Sequence, residues 1–188
     1  SFFVIALAPL AATFAFATQS GRVLGGHVET ESVAWGPQVD LSLTFRLDVI
    51  SFAFALLVTG AGALVLLYCA RYFDRNESGL ARFGAVFLGF LVSMLGLVLA
   101  DDVYLLFIFW ESTTIFSFLL IGFYFERKSA GDAANKAFIT NRVGDAGFIV
   151  GLLIVWGYLG TFNFDDIFAQ VRHPMKDAHG SPGRLAGK

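Results

Sequence analysis

A carboxylate stands in the middle of an apolar run. Residues 101–123 read DDVYLLFIFWESTTIFSFLLIGF, and Glu111 lies well inside them. From Val103 to Phe123 the run measures about 31 Å at about 1.5 Å per residue, one hydrocarbon thickness, which predicts a membrane-spanning helix. Glu111 then sits about 12 Å from its start. A carboxylate at that depth costs about 2–3 kcal/mol on insertion scales, and holding a helix together does not require it. Taking about 100° per residue with Glu111 at zero, Thr114 falls near 300°, Ser117 near 240° and Thr113 near 200°, with apolar side chains over much of the rest. A polar stripe on a spanning helix faces a bundle interior or a hydrated cavity. Glu111, Thr114 and Ser117 are therefore functional candidates. The structural alternative is a protonated carboxyl bonded to a hydroxyl for packing.

The rest of the chain suits such a helix. Of the 188 residues 56% are hydrophobic, 22 are Phe and the mean hydropathy is +0.69, beyond ordinary soluble usage. The length fits one domain or part of one. A net charge of −2 without a basic stripe gives nucleic acid no purchase. The single Cys69 excludes an internal disulfide and any Cys-based metal or iron–sulfur site. His27, His173 and His179 fall in polar connecting segments without helical spacing, which reads as loop histidines rather than ligands. No cofactor-binding set is present.

Five apolar segments predict an all-α, polytopic transmembrane bundle. The first, residues 1–18, starts inside an apolar run at Ser1. Ala15-Phe16-Ala17 resembles a signal-peptide cleavage site, but no basic residue precedes it, so the expectation is a spanning helix with a truncated start. Residues 19–48 form a polar loop with Gly25-Gly26 and Gly36-Pro37 as breakers, and alternation in VDLSLTFRLD suggests a short extended piece. Spanning helices follow at about 49–70, 83–100, 103–123 and 137–159, so that 49–159 makes a four-helix part. Residues 160–188 differ. Asn163 is a candidate N-cap with Asp165 and Asp166 in the first turn, and Phe164, Ile167, Phe168 and Val171 recur at amphipathic spacing. HPMKDAHGSPGRLAGK then reads as a flexible polar tail.

Loop charge orients the bundle. Arg71, Arg75 and Arg82 lie in one short connection, and Arg127, Lys128 and Lys136 in another on the same side. The positive-inside rule places both loops, 70–82 and 124–137, in the cytoplasm. Arg22, Arg46 and the acidic Asp101-Asp102 hairpin fall opposite, so Glu111 is entered from the outer side.

The last spanning helix carries a second constellation, Asn141-Arg142-x-x-Asp145. These three fall near 0°, 100° and 40° on one face, and the spacing lets Arg142 pair with Asp145 on the helix surface. The face is either a structural ion pair near the cytoplasmic end or a station on an ion path. Arg142 and Lys136 lie towards that end, which is poor geometry for a direct pair with Glu111. Gly144, Gly147 and Gly151 form a separate small-residue face, most simply a close helix–helix contact. Gly60-Ala61-Gly62 resembles the start of a dinucleotide fingerprint, but Val65 occupies the third glycine position and no strand precedes it, so these are packing residues. No nucleophile–base set supports hydrolytic chemistry.

Six segments together carry a family resemblance: FRLD at 45–48, LVTGAGALVLLYCARYF at 57–73, LVLADDVYLLFIFWE at 97–111, SFLLIGF at 117–123, KAFITNRVGDAGF at 136–148 and LGTFNFDDI at 159–167. The chain resembles the antiporter-like membrane subunits shared by respiratory complex I (subunit L of NADH-quinone oxidoreductase) and Mrp-type Na+/H+ antiporters (their A-type subunit). Segment 57–73 and WESTT are more similar to the Mrp subunit. NRVGDAGF and LGTFNFDDI are more similar to the complex I subunit, whose usual glycine after Trp-Glu is replaced by Ser112. The branch therefore stays open.

The resemblance implies a bundle of roughly 14 helices or more, built from two inverted repeats each with a broken helix. This chain would cover about the second to sixth of them. Glu111 matches the glutamate of the family's fifth helix, which pairs with a lysine on its seventh, and Arg142 and Asp145 match the family's Arg-x-x-Asp pattern. Implied too are proton or cation/proton translocation in a bacterial inner membrane, with Glu111, Asp145, Arg142, Thr114, Ser117 and Lys136 along the ion path. The implied partners are other membrane subunits of the same complex, the lipid bilayer, protons and Na+. Any enzyme activity would be that of the assembly, such as a proton-pumping NADH-quinone oxidoreductase. The alternative is a non-conducting structural or accessory subunit that scaffolds its partners.

Overall fold

The computed structural model describes residues 2–36, 41–74 and 78–172. In order these form α1 (Phe2–Thr18), α2 (Ser20–Leu24), β1 (Glu29–Gly36), β2 (Leu41–Leu47), α3 (Val49–Tyr72), α4 (Leu80–Leu99), α5 (Val103–Ile121), α6 (Lys128–Leu159) and α7 (Phe164–Arg172). Helices α3 to α6 are long and apolar enough to cross a membrane, while the apolar α1 is shorter at 17 residues. The polytopic helical bundle expected from the hydrophobic runs is the one observed. Pro37, Arg75, His173, His179 and the polar tail lie outside the described residues.

The helices pack as a row, α1 on α3, α3 on α4, α4 on α5 and α5 on α6. Glycine permits the close approaches. A Cβ at Gly89 would lie 2.5 Å from the Phe116 ring, one at Gly62 2.5 Å from Leu91, and one at Gly96 would run into Phe109. In a membrane, where lipid tails are as apolar as leucine, such tight van der Waals contact holds helices together. Gly62 is the packing residue its context suggested. Gly144, Gly147 and Gly151 are not in a close contact: nothing lies within 4 Å of a Cβ built at any of them. On α6 the residues that meet α5 include Phe138, Arg142, Asp145 and Phe148, within about 100° of Asn141, so the glycines at about 240–300° lie largely to the other side.

Two boundaries differ from expectation. Helix α6 begins at Lys128, not near Ala137, because the connection contains Ala130, Ala133 and Ala134, and alanine favours helix even where the segment is too polar for the bilayer. The extended piece at 41–47 pairs antiparallel with β1, Glu31 opposite Phe45 and Thr30 opposite Arg46. The polar ETES opening of β1 has no apolar alternation to announce a strand.

The hairpin end is clamped. Asp101 N donates to Thr44 O (3.0 Å) and Val103 N to Phe162 O (2.9 Å), so the α4–α5 turn is held between β2 and the approach to α7. Arg46 Nη1 reaches Asp165 Oδ1 at 2.9 Å and Asp101 Oδ1 at 3.5 Å. The Asp165 bond is the main reason the Arg46 guanidinium is held above its usual pKa, whereas burial pushes the Asp101 carboxyl up despite Arg46. Asp165 is thus the principal partner. Burial and the neighbouring Asp101 push Asp102 up as well. Asn163 Oδ1 accepts from Asp165 N and Asp166 N at 2.9 and 3.3 Å, as an N-cap of α7 should.

Asp48 caps α3. Its Oδ1 accepts from Ile50 N (2.9 Å) and Ser51 N (2.8 Å), and Ser51 Oγ accepts from Asp48 N (2.8 Å), a reciprocal capping box. Burial works to raise the Asp48 pKa, but the bonds from Ser51 and Ile50 and the Arg46 charge outweigh it and hold the carboxyl below its ordinary value. A carboxyl depressed in this way contributes stability that is present above the ordinary aspartate range and lost as pH falls through the depressed value. Asp48→Ala is expected to cost about 0.5–2 kcal/mol near neutral pH. Thermal unfolding in detergent across pH should show that difference closing in acid.

Candidate functional site

Glu111 and Trp110 are neighbours on α5, and each meets a different residue of α6. Glu111 Oε2 accepts from Arg142 Nη1 at 2.7 Å. Trp110 Nε1 donates to Asp145 Oδ1 at 3.0 Å. Aromatic contacts set the two helices at this separation: Phe107 and Trp110 against Phe148 at 5.4 and 6.0 Å between ring centroids, and Phe118 against Phe138 at 5.4 Å. The Arg142 guanidinium also lies over the Phe138 ring, 4.9 Å from its centroid, which holds a cation on the helix surface without a second carboxylate.

The pair expected from spacing is present as a loose contact, and a tighter one stands beside it. Arg142 and Asp145 are three apart on α6, yet their closest approach is 4.0 Å, and the tight partner of Arg142 is Glu111. A direct Glu111–Arg142 pair looked unfavourable because α6 was expected to begin near Ala137, which puts Arg142 in an end turn. With the start at Lys128, Arg142 lies about 21 Å into the helix, level with Glu111.

The acceptors are only partly used. Glu111 Oε1 and Asp145 Oδ2 are buried and accept no hydrogen bond among the described residues. Asp145 as a whole is 2% exposed. Two carboxylates and one guanidinium leave the group one negative charge in excess when both acids are ionised. Buried polar groups are ordinarily satisfied, so each unused oxygen is a place where a proton or donor can be received.

Beside the pair lies a cleft of about 570 Å³ between α4, α5 and α6, lined by Thr113, Thr114, Ser117, Thr140, Asn141 and Asp145 among others. The predicted stripe on α5 is therefore divided, its hydroxyls facing the cleft while Glu111 faces Arg142. Thr113 Oγ1 donates to Trp110 O (2.7 Å) and Thr140 Oγ1 to Lys136 O (2.9 Å). Their hydrogens are thereby occupied and their lone pairs remain as acceptors. Lys136 itself is exposed, about two turns from Arg142, and joins no ion pair among the described residues. Trp110 is the site residue that sequence reasoning missed. At about 260° on the α5 wheel it falls between Ser117 and Thr114, and an indole N–H on a polar arc needs an acceptor.

Comparison with known proteins follows the same segments. Residues 100–187 match the family model described as "NADH:quinone oxidoreductase/Mrp antiporter, TM", and residues 35–84 match "NADH-Ubiquinone oxidoreductase (complex I), chain 5 N-terminus". The chain is 41% identical over 150 residues to NADH-quinone oxidoreductase subunit L of Mycobacterium tuberculosis, covering 80% of this chain and 23% of that protein. It is 40% identical over 147 residues to a probable K(+)/H(+) antiporter A/B subunit of Rhizobium meliloti, covering 78% and 15%. The chain thus spans about a quarter or less of the length of these relatives. Among solved structures, the Mrp complex from Dietzia sp. superposes with a TM-score of 0.70 at 29% identity, covering 94% of this chain and 21% of that one. An archaeal membrane-bound sulfane sulfur reductase superposes with a TM-score of 0.75 at 21% identity, a likeness of fold, covering 87% and 33%.

A 2.7 Å contact between Glu111 and Arg142 predicts thermodynamic coupling. In a cycle of Glu111→Gln, Arg142→Gln and the double variant, unfolding free energies should depart from additivity by about 0.5–3 kcal/mol. Additive losses would place the two side chains out of contact.

Proposed function

We propose that this chain, which belongs to the antiporter-like family of membrane subunits shared by NADH:quinone oxidoreductase and the Mrp antiporters, is a proton-translocating part of such a subunit, with Glu111 as its proton carrier. One observation carries the reading: a carboxylate and a guanidinium at 2.7 Å on facing spanning helices, with a second carboxylate 4.0 Å from the same guanidinium nitrogen.

The group works as follows. Arginine stays charged throughout, so the variable charges are Glu111 and Asp145. While Arg142 holds Glu111 Oε2, the two charges face each other across the helix interface. When the guanidinium swings to Asp145 Oδ2, Glu111 Oε2 is left without its donor and open to a proton. A proton is thereby taken up or released as the cation moves. The hydroxyl-lined cleft offers acceptors for a hydrated approach. The lysine that the family resemblance assigns to a later helix would supply the next positive charge in line.

Orientation follows from the charges. The hairpin end, with Asp48, Asp101, Asp102 and Asp165, is assigned to the outer face. The end bearing Arg71, Arg82, Arg127 and Lys128 is assigned to the cytoplasm. The partners are the other membrane subunits of the complex, and the carried ion is the proton, exchanged for an alkali cation if the complex is an Mrp-type antiporter.

The test is Glu111→Gln in the intact protein within its complex, with proton transport measured in proteoliposomes beside assembly. The variant is expected to assemble normally and lose most transport, and Asp145→Asn to lose less. Transport at the wild-type rate in Glu111→Gln would end the reading. Failure of assembly in both would favour the scaffold.

A further inference from the structure

We propose that Trp110 is a positioning residue for the charge exchange at Glu111, fixing the Asp145 carboxylate as the second seat for Arg142. The inference rests on the function proposed above. Its ground is the crossed pairing of two helices. Consecutive residues of α5, Trp110 and Glu111, engage Asp145 and Arg142 of α6, three positions apart.

The two oxygens of Asp145 have different fates. Oδ1 accepts the indole N–H at 3.0 Å, while Oδ2 accepts nothing among the described residues and lies 4.0 Å from Arg142 Nη1. A carboxylate buried to 2% exposure and held by one oxygen has little freedom to turn, so the indole decides which oxygen faces the guanidinium. An indole N–H is a donor only and carries no charge, so it holds Asp145 without competing with Arg142 for its charge. To exchange Glu111 for Asp145 the guanidinium nitrogen need close only about 1 Å, from 4.0 Å to an ordinary charge-assisted bond. Without the indole bond the receiving oxygen has no fixed place.

The N–H is separable from the fold. The Trp110 ring packs on Phe148 with centroids 6.0 Å apart, and the residue is 46% exposed. Trp110→Phe keeps a ring there and removes only the donor.

The experiment uses the intact protein in its complex and compares Trp110→Phe, Asp145→Asn and the double variant, with proton transport, assembly and infrared spectra recorded for each. Trp110→Phe should assemble normally and slow transport about three- to tenfold, the size expected for the net loss of one typical hydrogen bond. In the Asp145→Asn background the same change should alter the rate less than twofold. The carboxylate bands that vanish in Asp145→Asn should shift in Trp110→Phe, a signature that a purely packing tryptophan would not give. Wild-type transport in Trp110→Phe, unshifted bands, or losses that multiply in the double variant would overturn the proposal. So would a shared failure of Trp110→Phe and Asp145→Asn to assemble, which would make the bond a support of the fold. Glu111→Gln separates the two readings. If it transports at the wild-type rate the function falls, whereas if it is inactive and Trp110→Phe is not, only the role of Trp110 falls.

Discussion

Charge inside an apolar slab has to be answered by charge, and the Glu111–Arg142 contact is where this chain answers it. Each partner alone would be costly at membrane depth. Together, at 2.7 Å, they set the register of α5 against α6 to within a residue, because a shift of one position turns either side chain away by about 100°. The aromatic contacts of Phe107, Phe118, Phe138 and Phe148 fill the same interface in that register. The pair therefore belongs both to the packing and to the proposed chemistry. Glu111 Oε1 and Asp145 Oδ2 stay without a donor among the described residues.

Much of this was legible from the chain. The lengths of the apolar runs placed α3, α4 and α5 to within a few residues of their ends, since hydrocarbon thickness is a fixed ruler. The spacing of Phe164, Ile167, Phe168 and Val171 gave α7, and the side chain of Asn163 its cap. Glu111 stands out as a candidate because a carboxylate there has no cheap structural excuse.

What was not legible depended on contacts between segments. Helix periodicity reports which residues share a face but not which face a neighbour covers, so it shows the loose Arg142–Asp145 pair on one helix but not the tighter Glu111 contact from the next. The glycine face of α6 was given a close partner for the same reason, and among the described residues it has none. Strand β1 escaped notice because its polar opening does not alternate, and its pairing with β2 is a contact between separate segments. The early start of α6 escaped because a polar, alanine-rich turn reads as a loop to any rule based on hydrophobicity.

The clamp at the hairpin end has a mechanical consequence. Val103 N donates to Phe162 O in the connection that follows α6, and roughly 12 Å further along α5 Glu111–Arg142 and Trp110–Asp145 tie the helix to α6 itself. Both ties oppose sliding of α5 along its neighbours. A ratchet by one helical turn, about 5.4 Å, would shear both. In the proposed exchange the moving part is the arginine side chain, so the stroke it needs is the length of a rotamer change and not of a helix displacement.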